Sequence, residues 1–245
     1  MQKQEPELNE AGAFPKVLNE KCGLIYTTTF VLCFSVVVPL LLMYIVAPWL
    51  IRLVGQTAYP AIIEICSWGM ALVVLAVVLC WERQSLRSIG FRRLTWKEGL
   101  LALLLGILLF ALVPALGIFM ERVVHIPTNT MAVVTALAKY PIWLRAILAA
   151  RAGFVEEVLY RGYPIERVNH LTCRIWPGAV ISLIIFTFIH LPASGLGNTV
   201  GIVLPLGVVL TGLYLWKRNL TLNITLHFLI DFLVLVLLPL LPPLC

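Results

Sequence analysis

IWPGAVISLIIFTFIHLPASGLGNTVGIVLPLGVVLTGLYLW, residues 175–216, contains no Asp, Glu, Lys or Arg. A single crossing of a bilayer's hydrocarbon core needs about 20 apolar residues, so this stretch is too long for one span. The turn-forming run LPASGLGN at 191–198 divides it into two. Working outward, further apolar stretches run from Cys22 to Leu50, Pro60 to Trp81, Gly99 to Met120, Tyr140 to Tyr160 and Leu220 to Leu238. Pro39 inside the first is a kink of the kind membrane helices tolerate. Glu64 interrupts the second, and Met131–Lys139 suits a short extra helix. The expectation is an all-α, polytopic transmembrane bundle of seven spans, or eight.

Composition agrees. Of the 245 residues 61% are apolar and 12% charged, about half the charged fraction of a soluble domain. Mean hydropathy is +0.98. These values exclude a water-soluble enzyme or a nucleic-acid-binding module. The net charge of +6 reads as basic cytoplasmic loops, with the lipid bilayer and not nucleic acid as the partner. With the N-terminus inside, segments 1–21, 82–98, 161–174 and 217–219 hold thirteen lysines and arginines, against Arg52, Arg122 and Lys139 outside. The chain divides into a polar cytoplasmic tail, 1–21, and one membrane domain, 22–245, whose motif-bearing core is about 140–235. The tail lacks the marks of a cleaved signal peptide, so the first span is expected to be an uncleaved anchor. The six cysteines form no C-x-x-C pair and read as apolar filler. Cys245 is not expected to serve a prenylation box, which needs three residues after the cysteine.

Each charge inside an apolar span needs a physical reason. Glu156-Glu157-Val-Leu-Tyr-Arg161 sets Glu157 and Arg161 one helical turn apart, so they can pair. Glu156 is turned by about 100° from Glu157 and is expected to lack that partner, which suits a general base. Phe186 and His190 share a helix face. Asn223, His227 and Asp231 form one polar stripe. Arg145 and Arg151 either snorkel or line the same cavity. Taken singly, each cluster has a structural reading: a locking ion pair, a satisfied interior histidine, an interhelical polar contact. His125 and His170 lack a partner pattern and read as inert. Together, a spare glutamate, two histidines and an aspartate on three helices imply a wet cavity within the membrane.

The motifs EExxxR (Glu156, Glu157, Arg161), FxxxH (Phe186, His190) and HxxxN/D (His227, Asp231) occur in that order. In this the chain resembles the CPBP family, the CAAX-processing and bacteriocin-processing intramembrane proteases, also called Abi. Gly162 and Tyr163 after the arginine, and Leu191 and Pro192 after His190, agree with the resemblance. It implies hydrolysis of a peptide bond in a membrane-associated peptide or protein, prenylated or leader-bearing, in a prokaryotic plasma membrane. Glu156 would activate a water that His190 also holds. His227 would stabilise the oxyanion or protonate the leaving amine. Glu157 and Arg161 would fix the helix, and Phe186 would wall the site beside His190. Many members carry Asn at the last position. An ionised Asp231 can only accept, so it is expected to orient His227 and favour its charged form.

No cofactor is expected. Zinc on Glu156, His190 and His227 is the alternative, although no HExxH motif favours it. The competing functions are a catalytically silent immunity or scaffold protein of the same fold, and a proton-coupled transporter, for which neither repeats nor paired broken helices are evident. One strain accompanies this reading. At 1.5 Å per residue, the span boundaries above leave Glu156 and His190 up to roughly 11 Å apart in height across a 30 Å core. The motif pattern and these boundaries cannot both hold.

Overall fold

The structure, a computed structural model, describes residues 10–128 and 130–240. Cys245 and the first nine residues of the expected tail lie outside the described residues. Every regular element among the described residues is helical. Helix α1 (Glu10–Leu41) starts well before the first apolar span and passes through a π-helical turn, Leu42–Val46, into α2 (Ala47–Ala76). Gly55, at φ 80° and ψ 170°, breaks α2 into two helices, a backbone conformation that glycine adopts at low cost. Helix α3 (Trp96–Arg122) begins at a capping box. The Thr95 hydroxyl accepts from the Glu98 amide at 3.3 Å, and Glu98 Oε2 accepts from the Thr95 amide at 2.9 Å, so two end donors are satisfied reciprocally. The short extra helix is present as α4 (Thr130–Leu137).

The charged segment is one continuous helical run: α5 (Ile142–Arg151), π-helical turns at Ala152–Glu156 and Val158–Gly162, and α6 (Tyr163–Thr172). Cys173 in the left-handed conformation, φ 55°, turns the chain into α7 (Ile175–Asn198). Gly195, φ 74°, breaks α7 inside the expected 191–198 turn. The chain returns through Thr199–Val203 and α8 (Leu204–Lys217). Arg218, also left-handed, leads into α9 (Leu220–Phe232) and the π-helical Leu233–Leu237.

Five helical stretches among the described residues are long and apolar enough to cross a membrane: Lys21–Gln56, Ala58–Trp81, Trp96–Arg122, Ile175–Lys217 and Leu220–Leu240. The charged run 142–172 does not qualify by apolarity, because it carries Arg145, Arg151, Glu156, Glu157, Arg161, Glu166 and Arg167. Ile175–Lys217 counts once although Gly195 folds it back.

The Cys173 turn resolves the height conflict. Glu156 lies seventeen residues before Cys173 and His190 seventeen after it, so an α6–α7 hairpin brings the two to one level. The expected boundary at Tyr160 was the error, since the helix continues to Thr172. Tight helix contacts hold this register. A Cβ on Gly178 would lie 2.8 Å from the Ile165 carbonyl oxygen, and one on Gly153 would lie 2.8 Å from the Phe228 amide nitrogen and 2.9 Å from the Ile224 oxygen. Such small-residue positions let membrane helices approach backbone to backbone. Gly153→Ala is therefore expected to push α9 away from the Ala152–Glu156 turn. The overpacking should cost about 1–3 kcal/mol, read as a lowered Tm in detergent.

Candidate active site

Fully buried Glu157 organises the site. Its Oε1 accepts from Arg161 Nη1 at 2.9 Å, the expected one-turn pair, and lies 2.9 Å from His227 Nδ1. Its Oε2 accepts from Asn223 Nδ2 at 3.2 Å, and the same amide nitrogen donates to the Leu210 carbonyl at 2.7 Å. Register again explains the meeting. Glu166 pairs with Arg218 at 2.6 Å, and nine residues from each, toward the centre, stand Glu157 and His227. The next turn, with its π-helical geometry, aims Glu156 at the opposite histidine.

Glu156 is not left over, as its angle from Glu157 suggested. Arg151 Nη1 donates to its Oε1 at 2.9 Å. A π-helical turn brings residues five apart into reach, and Ala152–Glu156 is such a turn. The Arg151 Nε in turn donates to Glu64 Oε1, from α2, at 3.0 Å. The other oxygen, Glu156 Oε2, lies 3.6 Å from His190 Nε2 and 4.0 Å from His227 Nε2. These separations exceed direct hydrogen bonds and leave room for a bridging water.

Both imidazoles are fixed from behind. His190 Nδ1 is 2.7 Å from the Phe186 carbonyl oxygen. A carbonyl only accepts, so Nδ1 carries the proton and Nε2 faces Glu156. His227 Nδ1 is held by Glu157 and its Nε2 faces Glu156 and Asp231. Asp231 Oδ2 stands 4.0 Å from that nitrogen, too far for a hydrogen bond. Glu157, not Asp231, therefore orients His227, because Glu157 is on the packed side of the ring while Asp231 is partly exposed, one turn further along α9.

Phe186 does more than wall off His190. Its ring centroid is 4.6 Å from that of His190 and 6.3 Å from that of His227, and the Arg161 guanidinium sits 3.8 Å from it. Arg161 Nε and Nη2 have no hydrogen-bond partner, and the aromatic face compensates the cation there. Of the two intramembrane arginines outside the motifs, Arg151 lines the site cavity and Arg145 does not; Arg145 Nη1 donates to the Leu235 carbonyl at 3.0 Å. His170 borders a separate cavity.

Glu64 is a site residue that motif reading missed, and Arg151, read as snorkelling or lining the cavity, does line it. The signal for Glu64 was available: a glutamate in an otherwise apolar span, demanding a partner.

Residues 138–233 match the family of type II CAAX prenyl endopeptidase Rce1-like proteins. That segment contains all three motifs, and the family is the one that their order resembles. It supports a peptide hydrolase of the CAAX-protease type in an integral membrane protein. Neither a curated protein nor a solved structure matches the chain.

Zinc, the alternative, would be held by Glu156, His190 and His227. Among the described residues no group of three His, Cys, Asp or Glu is arranged to hold a metal ion. Ligand atoms on a tetrahedral zinc lie about 3.3 Å apart, given metal–ligand distances near 2.0–2.1 Å. Here the separations are 3.6 and 4.0 Å, and a guanidinium already neutralises the same carboxylate. Removing one partner of a buried ion pair strands the other charge at a cost of about 3–5 kcal/mol. Arg161→Ala should lower Tm by far more than Asp231→Ala, measured side by side by thermal unfolding in detergent.

Proposed function

We propose that the protein is an intramembrane endopeptidase that hydrolyses a peptide bond of a membrane-associated peptide with a water activated by Glu156. The observation that carries this is the approach of Glu156 Oε2 to both His190 Nε2 and His227 Nε2, at 3.6 and 4.0 Å. Arg151 engages Oε1, so Oε2 is the free basic oxygen. A water between Oε2 and the His190 Nε2 lone pair gives a proton to Glu156 and attacks the scissile carbonyl. His227, carrying a proton on each ring nitrogen, donates Nδ1–H to the Glu157 carboxylate and presents Nε2–H to the developing oxyanion. Glu156 then delivers its proton to the leaving amine. Glu157, Arg161, Asn223 and Phe186 act through these groups and position them. Asp231 attracts positive charge to His227 without setting its orientation.

The reaction as written needs no metal, and a metal-independent mechanism is part of the proposal. The substrate is a membrane-associated peptide or protein, prenylated or leader-bearing. The topology we propose is seven passes: the five apolar stretches, with Ile175–Lys217 counted as two, plus the charged run 142–172. Exposed Trp81, Trp96, Trp176 and Trp216 all adjoin basic segments that are tied to one another, as tryptophans at a membrane interface do. The excess of lysine and arginine in those segments supports a cytoplasmic basic face and N-terminus, in a prokaryotic plasma membrane.

Glu156→Gln and His190→Ala should each reduce cleavage of a membrane-presented peptide by about 10²–10⁴-fold while eluting as folded protein in detergent; a parent-like rate for Glu156→Gln defeats the mechanism. Activity should survive exhaustive treatment with a metal chelator, measured as the initial cleavage rate before and after.

Asp231 offers a separate check. Asp231→Asn should retain cleavage, since Glu157 orients His227, whereas Glu157→Gln should lose it. The assay compares kcat for the two variants at matched folded fractions.

A further inference from the structure

We propose that substrate reaches Glu156 from the face opposite the basic loops, and that it is an apolar peptide segment in or just above the non-cytoplasmic half of the membrane. This rests on the hydrolase reading above and narrows its substrate class.

The cavity that contains Glu156 and His190 holds about 510 Å³, within the range of small-ligand sites. It extends from those two residues to Pro39, Ala47, Tyr59, Pro60, Leu137 and Tyr140. Each of these belongs to a helix end remote from the basic loops. Tyr59 follows the Gly55 break, and Tyr140 precedes α5. The lining is apolar apart from the site's own charges and a few hydroxyls, so the flanks of the cleaved bond are apolar.

The opposite route is closed. Between the site and the basic loops lie Ile89, Val158, Leu159, Tyr163, Ile165 and Tyr214, each at most 1% exposed. Below them Arg167 is held by Glu82 at 2.7 Å and by the Ser88 hydroxyl at 2.8 Å. Glu82 Oε1 also accepts from Thr27 at 2.8 Å and Tyr163 at 2.7 Å. A second cavity, about 700 Å³, does open at that end, beside Lys21, Trp81 and His170. It shares no lining residue with the first, so it is not a passage to Glu156. The basic loops, with Arg87, Arg92, Arg93 and Lys97, mark the cytoplasmic side. The open side is then the other one.

The test uses single-cysteine versions of the full chain. One keeps only Cys173, at the exposed α6–α7 turn. The other carries Ser67→Cys in the cavity wall, with Tyr59→Cys at the rim as the substitute if it does not fold. A membrane-impermeant methanethiosulfonate is applied to intact cells and to inverted vesicles. The expected result is modification of Ser67→Cys in intact cells, with loss of peptide cleavage, and modification of Cys173 in inverted vesicles alone. Modification of Ser67→Cys from the cytoplasmic side, from both sides or from neither overturns the proposal, as does labelling of Cys173 in intact cells. Labelling reads the path without catalysis. A parent-rate Glu156→Gln variant in the same series would therefore count against the hydrolase reading, and inside-only labelling with an inactive Glu156→Gln would count against this inference alone.

Discussion

The Glu157 carboxylate, shut away from both water and lipid, holds Arg161 and His227 through one oxygen and Asn223 through the other. A lone carboxylate could not survive there, because the cost of desolvating an unpaired ion is several kcal/mol even after relaxation. Its partners must therefore be delivered by folding, one from its own helix and two from α9. That requirement fixes the spacing and the rotation of α9 against the charged run. The close approach at Gly153 is what permits it: with a side chain there, the two backbones could not come near enough for a 2.9 Å contact. Once Glu157 is satisfied, Glu156 has a single direction left, toward the cavity, with His227 already facing it.

The outer ring of charges works in the same sense. Glu64 on α2 and Arg151 hold one oxygen of Glu156, so the other is presented to His190 and His227. Phe186 lies under both rings and under the Arg161 guanidinium. Four helical segments thus meet on two glutamates. The hairpins that bring them together are set by two left-handed turns, Cys173 and Arg218. The polar ties at the basic end hold those turns, including the Leu220 amide on the Gly90 carbonyl at 2.7 Å.

Much of this was legible in the residues. The uncharged run 175–216 announced membrane helices, and the turn chemistry at 191–198 held the break that Gly195 makes. The Glu157–Arg161 pair follows directly from a one-turn spacing. Two features were not legible, one because of helix geometry and one because interior charges resemble a loop. Spacing on an ideal α-helix leaves Glu156 without a partner, whereas a π-helical turn brings Arg151 five residues back into contact; nothing in AGFVE at 152–156 announces that widening. The end of the charged helix was misjudged because Arg161, Glu166 and Arg167 look like the start of a loop. They are instead interior charges, satisfied by Glu157, Arg218 and Glu82. Asp231 illustrates a further limit. Its one-turn spacing from His227 suggested direct contact, yet the ring turns its bonding nitrogen to a residue seventy positions away.

The proposed hydrolysis by a water between Glu156 and His190 is open to direct measurement. A single turnover of an excess of enzyme over peptide in water enriched in oxygen-18, followed by mass spectrometry of the new C-terminus, reads the source of the entering oxygen. With a general-base glutamate, one solvent oxygen enters the carboxylate in that first turnover. An unlabelled product, its oxygen supplied by the enzyme's own carboxylate, would contradict the mechanism.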